Sequence, residues 1–182
     1  DVEINRITKI VYERDYHIHH TRSNEPLRFY KEDVLFTLTP KRLNVQKLLF
    51  AMLCHSKRFA TKEGVFYMSY AQMTAYGNAT NRRVLQAAIS QLEKSGLIEV
   101  VSRNVTIKGK KNNPSKGGET VWKAVNRYRV NVTAPSACEH YLELHDINVD
   151  KYTSLVAALV TSDELKALVS KDQFYKCYKQ YY

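Results

Sequence analysis

Nowhere does the sequence run to eighteen consecutive apolar residues, so no membrane-spanning helix is expected. No signal-peptide pattern opens the chain. Its three cysteines, Cys54, Cys138 and Cys177, are odd in number and widely scattered, which argues against a disulfide framework and suits a reducing cytoplasm. Internal repeats are absent, and only the stretch around residues 108–118 is of low complexity. Cys138, His140 and His145 lack the close pairs of a structural zinc site and have no evident fourth ligand. Gly117-Gly118 beside Lys116 lacks the strand-loop-helix setting and the Gly-Lys-Ser/Thr run of a phosphate loop. No Ser/His/Asp constellation can be defended from spacing, and Cys54-His55 falls where a helix core is expected, so Cys54 reads as a small buried hydrophobe. The expectation is a cytoplasmic, non-enzymatic chain with no cofactor and no bound metal. The sequons at Asn78, Asn104 and Asn131 read as coincidence.

Against these absences stands a marked excess of positive charge. The 182 residues carry a formal net charge of +10, unevenly spread. Residues 77–131 hold eleven Lys and Arg against only Glu93, Glu99 and Glu119, whereas residues 132–182 hold five basic residues against seven acidic ones. A merely basic protein would not localise its excess in this way, whereas a phosphate-binding surface would. The length allows one good-sized core without disulfide staples.

The basic region coincides with a patterned one. Ser69 followed by Gln72 fits a capping box, so a helix is predicted from Tyr70. Gly77 suits its end, and Asn78 or Thr80 can cap the next helix. Val84, Leu85, Ala88, Ile89 and Leu92 then recur at three- and four-residue spacing and predict one buried face, with Arg82, Arg83, Gln86 and Ser90 opposite. Lys94 and Gly96 suit the helix end. Leu97 to Val101 reads as a strand, Asn104 to Gly118 as a long basic turn, and Glu119 to Asn131 as the returning strand.

The stretch from Ser69-Tyr70-Ala71-Gln72-Met73 through Gln91-Leu92-Glu93-Lys94-Ser95-Gly96-Leu97-Ile98 resembles the winged helix-turn-helix superfamily found among bacterial, plasmid and phage regulators, including Ala75 before the turn and Val84 in the second helix. The likeness spans roughly Thr39 to Asn131, with a hairpin tip longer than in a small regulator. It implies an α+β fold: a winged helix-turn-helix core over residues 39–131 with a long basic β-hairpin wing, an N-terminal arm of strands or extended chain over 1–38, and a C-terminal helical extension over 132–182.

The resemblance also implies sequence-specific binding of double-stranded DNA. Arg82 or Arg83 would pair with guanine and Gln86 with adenine; Asn81 and Ser90 would add base or phosphate contacts. Asn78 lies on the turn, and Thr80 with the helix N-terminus is a natural phosphate anchor. Lys108, Lys110, Lys111 and Lys116 on the wing would hold the backbone or minor groove, joined by Arg127 and Arg129 if their strand faces outward. A transcriptional regulator is the expected role. The alternative is a plasmid or phage replication initiator, to which the Phe36-Thr37-Leu38-Thr39-Pro40 segment bears a loose likeness. A protein-interaction module that has lost DNA contact is a third reading.

The flanks carry less. Ile4, Ile7, Ile10 and Tyr12, then Leu35, Phe36 and Leu38, suggest short strands; Thr39-Pro40 should open a helix whose buried stripe includes Leu43, Leu48, Leu49, Met52 and Leu53. Helices are expected from Asp150 to Val160 and from Ser162, the latter leading to Tyr175, Tyr178, Tyr181 and Tyr182. Those helices would either pack on their own domain or form a homodimer matched to two half-sites. Tyr16-His17-Ile18-His19-His20 with such tyrosines also resembles the relaxase and rolling-circle nickase family, but only sixteen residues precede His17, too few for the strands that family places before its histidine pair.

Overall fold

The computed structural model describes residues 25–76, 81–110, 120–133 and 141–182, with side chains over 25–76, 81–105, 125–133 and 141–182. It is an α+β fold with two small antiparallel sheets. In chain order its elements are β1 (Leu27–Tyr30), α1 (Lys31–Leu38), α2 (Leu43–Phe59), β2 (Val65–Met68), α3 (Tyr70–Ala75), α4 (Arg82–Lys94), β3 (Ile98–Lys110), β4 (Thr120–Val130), β5 (Tyr141–Leu144), a 3-10 turn (Val149–Lys151), α5 (Tyr152–Leu159) and α6 (Ser162–Leu168). A last segment begins helically at Lys171–Gln173, widens to a π-helical stretch over Phe174–Tyr178 and ends in a 3-10 turn.

The centre is α2. Val45, Leu48, Leu49, Phe50, Ala51, Met52, Leu53 and Cys54 are all buried, so the helix is covered on nearly every side, as an all-round apolar helix must be. On one flank β2, β4 and β3 form a three-stranded sheet in that spatial order; Phe66, Met68, Tyr128, Val130 and Ile98 join the same core cluster as Leu85, Ile89 and Leu92 of α4. On the other flank β1 pairs with β5, and Phe29 and Tyr152 each stand 5.2 Å from the Phe50 ring. One cluster therefore runs from Leu27 to Tyr178 and includes residues from both expected flanks.

Several expectations need correcting. Lys31–Leu38 is helical, not a strand or extended arm, because Val34, Thr37 and Leu38 are buried at helical spacing. Asp33 starts it by accepting the Tyr30 N–H at 2.9 Å, and Glu32 and Asp33 sit in the first turn, where the helix dipole favours acid. The next helix opens at Leu43, not at Thr39-Pro40; Gln46 donates to the Pro40 carbonyl at 2.7 Å and holds the intervening turn. The cap of α4 is Asn81, whose Oδ1 accepts the Val84 N–H at 3.0 Å, and neither Asn78 nor Thr80 holds that place. Val84, one step off the buried stripe, is exposed. The strand after Ile98 does not end before Asn104; it bulges there and continues to Lys110. The strand β5 was not expected.

The C-terminal helices pack on their own chain: Tyr152, Leu155, Val156, Leu165, Phe174 and Tyr178 are buried in the common core. Among the described residues no helix is long and apolar enough to cross a membrane.

Candidate nucleic-acid interface

The short helix α3 is held at its start by the expected reciprocal cap: Gln72 N–H donates to Ser69 Oγ at 3.2 Å, and Ser69 N–H to Gln72 Oε1 at 2.7 Å. Met73 drives it into the core and leaves Ala71, Gln72, Thr74 and Ala75 exposed. After Asn81, α4 buries Leu85, Ala88, Ile89 and Leu92. Its opposite side follows from the helical repeat: Arg83, Ala87, Ser90 and Lys94 fall four, three and four residues apart and form one ridge, exposed at Arg83, Ala87 and Lys94 and half-buried at Ser90. Ala87, Ser90, Gln91, Lys94 and Ser95 line a shallow open depression along it.

The ridge carries a cation at each end. Among the described residues neither Arg83 nor Lys94 has an acidic partner, so both cations are uncommitted. Arg82 lies on the flank, its guanidinium 5.1 Å above the Tyr70 ring, which ties it toward α3. Gln86 and Gln91 are exposed on the two sides of the ridge. Of the expected contacts, Asn81, Arg82, Arg83, Gln86 and Ser90 thus come together on one helix.

The hairpin of β3 and β4 is tied to α4 near its base. Arg103 pairs with Glu93 of α4 at 2.8 Å. Two register shifts, between Val100 and Ser102 and between Ser102 and Val105, bulge β3, with Asn104 in the left-handed region at φ 54°. Asn126 holds that bulge: its Oδ1 accepts the Asn104 N–H at 3.0 Å, and its Nδ2 donates to Tyr128 Oη at 2.8 Å. Burial raises the Tyr128 hydroxyl to about 12. Beyond the bulge Lys108 lies opposite Trp122 and Lys110 opposite Thr120 in the ladder. Lys111, Lys116, Asn78 and Thr80 lie outside the described residues.

Arg127 and Arg129 belong elsewhere. Strand alternation puts them, with Tyr67 and Glu99, on the sheet face away from Phe66, Tyr128 and α4. Arg129 is ion-paired with Glu99 and its Nε donates to the Glu63 carbonyl at 3.2 Å, while the Arg127 guanidinium sits 5.5 Å over the Tyr67 ring. The structure separates them from the α4 ridge. What sequence reasoning missed is Ala87, Gln91, Lys94 and Arg103. Extending the Arg83–Ser90 periodicity would have found Ala87 and Lys94; the Arg103–Glu93 pair depends on a bulge no periodicity announces.

Other candidate chemistry finds less support. Tyr178 is fully buried, and that burial pushes its hydroxyl well above the ordinary tyrosine value, so it is no accessible nucleophile. Tyr182 Oη donates to the Val160 carbonyl, Tyr181 Oη lies 3.2 Å from Thr153 Oγ1, and Tyr175 is exposed. His17, His19, His20, Cys138 and His140 lie outside the described residues, within which no group of three or more His, Cys, Asp or Glu is placed to hold a metal. Cys54 is buried, and burial raises its thiol far above the reactive range. No family model, curated protein or solved structure matches this chain.

Proposed function

We propose that this chain binds double-stranded DNA with sequence preference, in the manner of a winged helix-turn-helix protein, and acts as a transcriptional regulator. The observation that carries the reading is the α4 ridge: a helix buried along one stripe presents, along the other, two uncommitted cations separated by small residues. The order α2, β2, α3, α4, β3, β4 and the sheet order β2-β4-β3 supports it, since a helix pair followed by a β-hairpin suits one element in the major groove and another beside it.

From Arg83 to Lys94 the ridge extends about 16 Å at 1.5 Å per residue, or about five base pairs. Arg83, near the helix N-terminus, is the base-reading candidate through guanine O6 and N7, with Gln86 beside it for adenine. Ala87 and Ser90 let the backbone approach, and Lys94 meets a phosphate. The lysines of the hairpin add affinity without sequence choice.

Fluorescence anisotropy with duplex DNA tests these roles. Arg83→Ala should cost roughly 1–3 kcal/mol and relax preference at one position, whereas Lys94→Ala should weaken all sequences alike and lower the salt slope by about one. If both variants bind as the parent does, α4 is not the reading element. The symmetry of the bound sites separates the two roles: a palindrome bound by a homodimer favours a regulator, and an array of direct repeats favours a replication initiator.

A further inference from the structure

Tyr76 closes α3, and three different elements hold it. Its N–H donates to the Gln72 carbonyl at 3.0 Å, the ordinary helical bond. Its hydroxyl meets Nδ1 of His55 on α2 at 2.8 Å. The other His55 nitrogen lies 2.9 Å from the Tyr67 carbonyl on β2. A carbonyl can only accept, so Nε2 carries the proton and Nδ1 accepts from the Tyr76 hydroxyl. Finally, the Tyr76 carbonyl accepts the N–H of Val149 at 3.0 Å, a residue that follows β5.

That last donor is itself firmly placed. Val149 is fully buried, and Asn148 caps its turn by accepting the Asp150 N–H at 2.8 Å. Arg58 of α2 reaches the same segment, donating to the His145 carbonyl at 3.1 Å. The last carbonyls of a helix need outside partners, and here one comes from a segment that the sequence alone would assign to a separate extension.

We propose that Tyr76 is a positioning residue that fastens the end of α3 to α2 through its hydroxyl and to the segment Tyr141–Lys151 through its carbonyl, and with α3 the first turn of α4, whose Arg82 lies over the Tyr70 ring, making that segment part of the reading unit. The proposal rests on the DNA-binding reading above. It acts through α4: a small shift of the helix start displaces Arg83 and Gln86 relative to base edges, where hydrogen bonds tolerate little error.

Two variants each remove one fastening. Val149→Pro deletes the N–H and exchanges the buried isopropyl group for an apolar ring of similar size: proline suits the first residue of a helical turn, and Asn148 before it already has the extended backbone that proline requires, at φ −131° and ψ 114°. Tyr76→Phe deletes only the hydroxyl. His55→Gln is the conservative control, since an amide can still accept from Tyr76 and donate to the Tyr67 carbonyl. Each is measured for affinity to a random duplex pool and for amide exchange at Asn81 to Leu85, well below its thermal midpoint. Val149→Pro and Tyr76→Phe should each weaken binding at least about fivefold and quicken that exchange, with His55→Gln close to the parent.

Unchanged affinity in both variants, or unchanged exchange, overturns the proposal. If Val149→Pro does not fold, Asn148→Ala, which removes the cap of the turn that holds the Val149 N–H, decides by the same two readouts. If the parent binds no duplex, the DNA reading fails and exchange alone decides: faster exchange at Asn81 to Leu85 upholds the fastening, and parental exchange refutes it.

Discussion

His55 occupies the middle of α2, only 3% exposed, among the rings of Phe59, Phe66 and Tyr76. Burial lowers its pKa from 6.5 to about 4, with Arg58 adding to the effect and the bond to Tyr67 opposing it. An unfolded chain therefore binds a proton between about pH 6.5 and 4 that the folded chain refuses. Stability carried by the neutral imidazole is complete above that window and is lost as pH falls through it, about 2 kcal/mol by pH 5. Urea midpoints at pH 7.5 and 5 check this: the parent should lose more than His55→Gln, and equal losses would contradict the assignment. Asp33 shows the complementary residue-scale case. Its carboxylate is buried yet paired with Lys57 at 2.8 Å and bonded to the Tyr30 N–H, so removing Lys57 should cost more than removing the exposed Arg103 from Glu93.

At the scale of elements, α2 cannot be covered by the basic region alone. Phe50 packs between Phe29 of β1 and Tyr152 of α5, and Thr37 Oγ1 lies 3.1 Å from Tyr152 Oη. A fragment of residues 39–131 would bare that side of the helix and should show no cooperative thermal transition by circular dichroism, whereas the full chain should melt cooperatively. A fragment 39–131 that melts near the parental midpoint would mean that β1, α1, β5 and α5 are dispensable. This dependence also explains what the sequence could and could not tell. The Ser69–Gln72 cap, the buried stripe of Leu85, Ala88, Ile89 and Leu92, and the left-handed Gly96 at φ 72° are local signals, and local physics produces them. The pairing of Leu27–Tyr30 with Tyr141–Leu144 is long-range, between two short strands whose partners no periodicity names. The same holds for α1, whose buried stripe is completed by Asp33 and Thr37, polar residues made tolerable by Lys57 and Tyr152. On α4, alternation between core and ridge was readable, but Arg127 and Arg129 were not assignable until the sheet showed which face each occupies.

At the scale of the whole molecule, charge is sorted along the chain: the region of α4 and its hairpin carries the excess, and the segment after it is slightly acidic. Among the described residues, ion pairs neutralise Lys31, Lys57, Arg103, Arg129, Lys166 and Lys176, while Arg83 and Lys94 on the ridge, like Lys41, Arg42 and Lys47 elsewhere, have no acidic partner. A surface of that kind gathers polyanions at a rate and affinity that fall with salt. The measurement that bears most directly on this account is retention of a random duplex DNA pool at 50 and 200 mM salt, followed by sequencing of the bound fraction. The account predicts a steep loss of retention at the higher salt together with an enriched motif whose α4-contacted core spans about five base pairs. No retention at the lower salt, or retention without any enriched motif, would contradict sequence-specific recognition by α4.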